Sequence, residues 1–119
     1  MKKLTTLAIG AAMALGSASA LACEYPSRVD IPDGNTASKD EMIEGQRNVK
    51  SYVATMETYL ECLVDEEKSA RAQLEDLSAE DEQLREDMLN KKYNAAVEEM
   101  EKVAARFNAE VQAYKARED

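Results

Sequence analysis

From Ser38 to its carboxyl terminus the chain contains no proline and repeats apolar residues every seven positions, which is typical of long helices that bury one stripe each. The first stripe comprises Met42, Val49, Met56, Leu63, Ala70 and Leu77, with Val53, Leu60 and Leu74 four residues after members of it. The second comprises Tyr93, Met100, Phe107 and Tyr114, with Val97, Ala104 and Val111 interleaved. Strands alternate every second residue, so the pattern predicts an all-α protein.

The second stripe is out of phase with the first by two residues, which indicates either a turn between two helices or local unwinding of one long helix. Ser38 and Glu41 form a capping-box pattern that predicts the first helix start, and Ser78-Ala79-Glu80-Asp81 offers a second capping box that would start a new helix. We therefore predict a long antiparallel, coiled-coil-like helical hairpin over residues 38–119 with its turn near residue 78. A continuous helix is the alternative.

Pairing the two stripes about residue 78 places Met42 opposite Tyr114 and Val49 opposite Phe107. Nearer the turn, the same pairing places Glu67 opposite Asn90. Polar residues would meet there, so we expect the tip of the hairpin to open more easily than its base.

Residues 23–37 differ in composition from the helical region, because they hold both prolines and the turn sequence Pro32-Asp33-Gly34-Asn35. Neither a helix nor a strand fits this segment. It is predicted to be an extended arm with one bend.

Residues 1–22 have the composition of a cleaved signal peptide. Lys2 and Lys3 precede an apolar run from Leu4 to Leu15, and Ala20-Leu21-Ala22 is a cleavage pattern just before Cys23. The run is too short for a bilayer, which needs about 20 apolar residues. We expect an exported, periplasmic protein. The alternative is a lipoprotein anchored through Cys23, the one case in which membrane contact is expected.

Cys23 and Cys62 are the only cysteines, and an even count in an exported chain predicts a disulfide between them. The arm is long enough to run back along the first helix and reach Cys62, since 15 extended residues span up to about 50 Å. An intermolecular disulfide through Cys23 is the alternative. The chain has no histidine, and two sulfurs alone make a poor zinc site, so no metal and no cofactor are predicted.

The chain is strongly acidic, which argues against nucleic acid as a partner. Its formal net charge is -9, and removal of residues 1–22 takes away Lys2 and Lys3 and no acid, giving -11. Such a charge repels phosphate backbones and anionic lipid headgroups. It would serve either to bind a cationic partner or to keep the protein soluble.

Two groups of residues are candidates for contacts with an unknown protein partner. Tyrosines beside the first stripe and the asparagines of a short repeat, Tyr93-Asn94-Ala95-Ala96-Val97 and Phe107-Asn108-Ala109-Glu110-Val111, form the candidate partner surface Tyr52, Tyr59, Asn94 and Asn108. The alternative is that these are ordinary boundary residues with hydrated polar groups. A homodimer that forms a four-helix bundle is also compatible with the thin core of one hairpin.

The region around the predicted turn is the most acidic part of the chain, with ten acidic and three basic residues between Asp65 and Asp87. The candidate docking patch within it comprises Asp65, Glu66, Glu67, Glu80, Asp81 and Glu82. A solvated helical surface is the simpler interpretation. The spacing lacks the alternating ligands and glycine of an EF-hand loop.

Ile31-Pro32-Asp33-Gly34, Met42, Tyr52, Met56, Tyr59-Leu60 and Cys62-Leu63 together resemble a pattern in small, uncharacterised exported helical proteins of proteobacteria. The match covers about half of the predicted mature chain. This resemblance implies a bacterial periplasmic setting and no assigned activity.

No histidine, nucleophile motif or phosphate-binding loop is present, so we expect no enzymatic activity. The sequence favours a non-catalytic exported interaction or scaffold protein of the bacterial envelope. Alternatives are a periplasmic holdase-like chaperone or stress sensor, and a binder of cations or basic ligands through the acidic tip.

Overall fold

The computed structural model describes residues 23–117, so the predicted signal peptide lies outside the described residues. Two helices, α1 (Lys39–Ala72) and α2 (Ala79–Ala116), pack against each other as an antiparallel hairpin. Residues 23–37, which we call the arm, have no regular structure beyond one turn at residues 34–36. The predicted helical hairpin, with an arm attached to it by a disulfide, is confirmed.

Local hydrogen bonds set the ends of both helices. The Ser38 hydroxyl accepts from the Glu41 amide, and the Glu41 carboxylate accepts from the Ser38 amide, which completes the predicted capping box. At the start of α2 the Ser78 hydroxyl accepts from the Asp81 amide, which is one of the two bonds of the capping box predicted there. Between the helices Asp76 adopts φ 55, a left-handed conformation that Asp tolerates better than most residues. The chain therefore reverses within residues 73–78.

The register of the helices differs by about one helical turn from the predicted pairing. Glu67 bonds Arg85 instead of lying opposite Asn90, and Phe107 lies beside Gly45. Ser78 is the N-cap of α2, so the whole reversal precedes it and the hairpin is centred nearer to residue 76 than to residue 78. Heptad stripes tolerate such a displacement, because it brings similar apolar residues into contact.

The core lies in the half of the hairpin away from the turn and is built mainly from α1. Met56 is fully buried at its centre, and small Ala96 lets α2 approach closely. The arm adds Val29 and Ile31 to this core from a third direction. The buried core cluster comprises Val49, Tyr52, Met56, Leu60, Ala96 and Val103.

The half of the hairpin that contains the turn is almost without a core. No residue from Val64 to Ala95 is buried, and we call residues 65–88, which surround the turn, the tip. Leu74, predicted to lie in the first stripe, is instead 43% exposed. It follows the end of α1, where the reversal carries its side chain away from the helix interface.

Gly34 anchors the end of the arm to the carboxyl-terminal part of α2. Its amide donates to the Glu110 carboxylate at 2.7 Å, and the Arg117 guanidinium donates to the carbonyls of Gly34 and Ala37 at 2.9 and 2.7 Å. A Cβ at residue 34 would overlap the Glu110 carbonyl oxygen and lie 2.9 Å from the Tyr114 amide nitrogen. Only glycine therefore permits this close approach.

Gly34→Ala should destabilise the protein, because its methyl group would meet backbone atoms that cannot rotate away. We expect a loss of about 1–3 kcal/mol in the free energy of unfolding, measured by urea denaturation. Asn35→Ala, at the exposed neighbouring position, is the control and should change stability little. Equal stability of Gly34→Ala and the wild type would contradict the close packing.

Candidate functional site

A disulfide between Cys23 and Cys62 fixes the start of the arm to the carboxyl-terminal half of α1, as predicted. The two Cα atoms are 5.7 Å apart and the cysteines are separated by 39 positions in the sequence. Together with the Gly34 anchor, the disulfide holds the arm at both ends. The sequence prediction of an intramolecular clip is confirmed.

Beneath the arm, aromatic side chains fill the space beside α1. The Tyr25 ring meets the Tyr59 ring edge to face, with centroids 5.1 Å apart, and Tyr52 is buried at 7% exposure. Burial raises the pKa of the Tyr52 hydroxyl above its ordinary value, and nearby Tyr25 and Glu99 add smaller contributions in the same direction. Tyr52 is therefore a neutral core residue covered by the arm, and a contact of its ring with a partner stays a prediction.

The remaining residues of the candidate partner surface lie apart from one another. Tyr59 is half-buried against Tyr25, whereas Asn94 and Asn108 are exposed on α2. Helical spacing puts the two asparagines away from the stripe that packs on α1. Their role in binding a partner stays a prediction.

Glu67 differs from the other acidic residues of the tip, because it joins the two helices. Its carboxylate accepts from Arg71 Nε at 3.0 Å and from Arg85 Nε at 2.9 Å, and the side chain is only 19% exposed. The hydrogen bond from Arg71 is the main cause that lowers the pKa of Glu67; partial burial opposes it and Arg85 supports it. Glu67 is thus a structural clamp between the helices, and its part in the candidate docking patch stays a prediction.

The other residues of the predicted acidic patch are exposed but form two separate groups. Glu80, Asp81 and Glu82 occupy the first turn of α2, where acids stabilise the positive end of the helix. Asp65 and Glu66 lie on α1. The acidic patch therefore spans both helices, with the Glu67 clamp between them.

Glu66 lies beside the disulfide, with Oε2 3.1 Å from the Cys23 sulfur. The two sulfurs and this carboxylate would fit within the coordination sphere of a metal ion, since their atoms lie within 4.8 Å of one another. Metal ligation requires thiolates, however, and both sulfurs are held in the disulfide. The arrangement is that of a carboxylate packed beside a structural disulfide.

An exposed apolar surface at the tip was not predicted from the sequence. Leu84 is 59% exposed and Met88 is 53% exposed, one helical turn apart on α2. Leu74 in the reversal is also exposed. Both α2 residues fall outside the predicted apolar stripes, and that mismatch is the sequence signal that could have identified them.

An open cavity of about 410 Å³ lies between residues 26–30 of the arm and one face of α1. Its α1 wall consists of Asn48, Ser51, Tyr52 and Thr55. Hydroxyl and amide groups can bind polar molecules, but they need an activating base to act as nucleophiles. This cavity offers hydrogen bonding and no assembled pair of nucleophile and base.

Neither helix in residues 23–117 is both long and apolar enough to cross a membrane. Comparison with protein-family models, curated proteins and solved structures finds no match to this chain. Any function therefore has to be inferred from the geometry of the arm, the clamp and the tip.

The disulfide should contribute a large part of the stability, because it restricts the unfolded chain. Replacement of both cysteines by serine, or reduction, is expected to lower the free energy of unfolding by about 4 kcal/mol, measured by urea denaturation. As a control, reductant should leave the Cys23→Ser/Cys62→Ser variant unchanged. An unchanged wild-type midpoint after complete reduction would contradict this role.

The Glu67 clamp predicts a pH-dependent contribution to stability. Since the folded-state pKa is lowered, the contribution is complete above the unfolded pKa of about 4.3 and is lost as pH falls through the folded pKa. Glu67→Gln should reduce the free energy of unfolding at pH 7 by roughly 0.5–1 kcal/mol and flatten its pH dependence below about pH 4.3. Glu86→Gln, at an exposed position, is the matched control. Identical pH profiles for Glu67→Gln and wild type would refute the clamp.

Proposed function

We propose that this protein is a non-catalytic interaction protein of the bacterial envelope, whose hairpin presents its tip to a protein partner. The observation that carries the proposal is the exposure of Leu84 and Met88, at 59% and 53%, on a helix whose other half is packed in the core. Exposed large apolar side chains that lie together mark interaction surfaces more often than single ones do.

The two halves of the hairpin support different roles. The base is held by the core, by the Gly34 anchor and by the disulfide, so it is suited to position the tip. In the tip the Glu67 clamp and a bond from Arg71 to the Glu82 carbonyl join the two helices, and Leu74, Leu84 and Met88 remain exposed to solvent. A rigid base with an accessible tip is the arrangement expected of a scaffold or adaptor.

The disulfide supports an oxidising, extracytoplasmic location, because such bonds persist there and are rare in the reducing cytosol. The sequence of residues 1–22 points in the same direction. A Cys23 sulfur bonded to Cys62 cannot also carry a lipid. We therefore favour a periplasmic protein over a lipoprotein anchored through Cys23.

A holdase-like chaperone is a second candidate, and the same exposed Leu84 and Met88 favour it. Holdases bind many unfolded clients through apolar surface, whereas an adaptor binds one or a few partners. The number of partners that contact the tip therefore separates the two functions. A homodimer would appear as a contact between two copies of the chain.

Site-specific photocrosslinking in the native compartment tests the proposal. A photoreactive phenylalanine analogue at position 84 should give one or a few discrete adducts, because the side chain lies at the proposed interface. The same analogue at position 43, where Ile43 is exposed on the base at 38%, is the control and should give none of those adducts. A continuous smear of adducts at position 84 would favour the holdase, and equal or absent labelling at both positions would contradict a tip interface.

A further inference from the structure

We propose that the tip binds a cationic amphipathic helix, with Leu84 and Met88 contacting its apolar face and the surrounding carboxylates pairing with its lysines or arginines. The inference rests on the proposed interaction function and names the chemical class of the partner. Two independent features of the tip, its apolar exposure and its unbalanced charge, lead to it.

The apolar feature has the spacing of a helix-packing surface. Leu84 and Met88 are four residues apart, so their side chains lie along one ridge of α2 into which the side chains of another helix can fit. Methionine is unbranched and flexible, and adapts to differently shaped apolar partners. Leu74, 43% exposed, adds apolar surface at the same end of the hairpin.

The electrostatic feature becomes clear once the ion pairs are assigned. Ten acidic and three basic residues lie between Asp65 and Asp87, and Glu67 alone engages two of the bases, Arg71 and Arg85. The other nine acids form no salt bridge within residues 23–117, and Lys68 is the one base left among them. Lys91 and Lys92 follow Met88 on the same side of α2, so unpaired acids outnumber unpaired bases by nine to three and the tip as a whole carries a net negative field.

Helix stability does not account for all of this charge. Glu80, Asp81 and Glu82 stabilise the start of α2, but the dipole effect fades beyond the first turn. Asp87 lies beyond that turn, beside the ridge of Leu84 and Met88, whereas Glu86 lies on the opposite side of α2. Like charges crowded along a helix are destabilising on their own, so a partner of opposite charge would relieve repulsion as it binds.

The combination of both features selects one class of occupant. A metal ion or polyamine would use the carboxylates and leave the leucine and methionine in water. A second tip would bring two negative fields together. A cationic amphipathic helix would cover the apolar ridge with its apolar face and pair its basic side chains with the carboxylates. Amphipathic helices bind the apolar grooves of other proteins through their apolar face in the same way.

The test uses the full mature, oxidised protein and an 18-residue synthetic helix of leucine and lysine, with leucines spaced to form one apolar face. Isothermal titration calorimetry and backbone NMR should show saturable binding, with shifts concentrated at residues 74–90. Binding should weaken with added salt, because the exposed charges are screened. A scrambled peptide of the same composition should bind at least tenfold more weakly.

Two pairs of matched variants separate the contributions. Leu84→Gln/Met88→Gln should weaken binding at least tenfold, whereas Ile43→Gln, the control on the base, should have no effect. Asp81→Asn/Asp87→Asn, which neutralises two acids beside the ridge, should weaken binding and reduce its salt dependence, whereas Glu98→Gln/Glu101→Gln, with the same change in net charge, should do neither. Glutamine keeps the helix propensity of the replaced leucine and methionine, so circular dichroism should show unchanged folding.

Several outcomes would overturn the inference: no binding of the helix, equal binding of the scrambled peptide, or wild-type affinity in Leu84→Gln/Met88→Gln. Tight binding of spermine or calcium at the same residues would show a simple cation site instead. Self-association through the tip, measured by analytical ultracentrifugation, would identify a second copy as the occupant. If discrete crosslinks form at position 84 in the native compartment while the cationic helix fails to bind, the proposed function stands and this inference alone fails.

Discussion

The attachment of the arm to the hairpin is the constraint on which the rest of the structure depends. Two antiparallel helices alone bury one stripe each, and here α2 contributes only Ala96 and Val103 as buried residues. The arm adds a third wall over α1, but a segment without regular structure has few hydrogen bonds of its own to keep it there. The disulfide at Cys23 and the hydrogen bonds around Gly34 attach the arm at both ends. The core is therefore formed by α1, α2 and the arm together.

This way of stabilising the base has a consequence for the tip. Covered by the arm and by α2, the base can bury Met56 completely, whereas the tip beyond Cys62 has no third wall and buries nothing from Val64 to Ala95. The Glu67 clamp keeps the helices together there by charge and hydrogen bonding. Apolar side chains at the tip are consequently free to serve recognition, and their exposure carries both of our functional proposals.

Much of the architecture was predictable from residue patterns, and the errors have physical causes. The capping box at Ser38 and the turn residues of the arm act locally, so the sequence predicted them correctly. The register was displaced because a heptad repeat fits almost equally well after a shift of one turn. The pairing of Glu67 was missed because it depends on Arg85, a residue of α2 distant in the sequence. For the same reason the sequence left open whether Tyr52 contacts the arm or a partner.

The amino-acid sequence alone thus specified two long helices and a proline-containing arm, because helix propensity, capping and proline act between neighbouring residues. It also specified the intramolecular disulfide, because the chain has only two cysteines. The tertiary structure decided which face of each helix is covered. In the folded protein Tyr52 lies beneath the arm, Glu67 pairs with two arginines, and Leu84 and Met88 are exposed to solvent. Exposure of that kind depends on what packs from elsewhere in the chain, and no periodicity along a single helix contains that information.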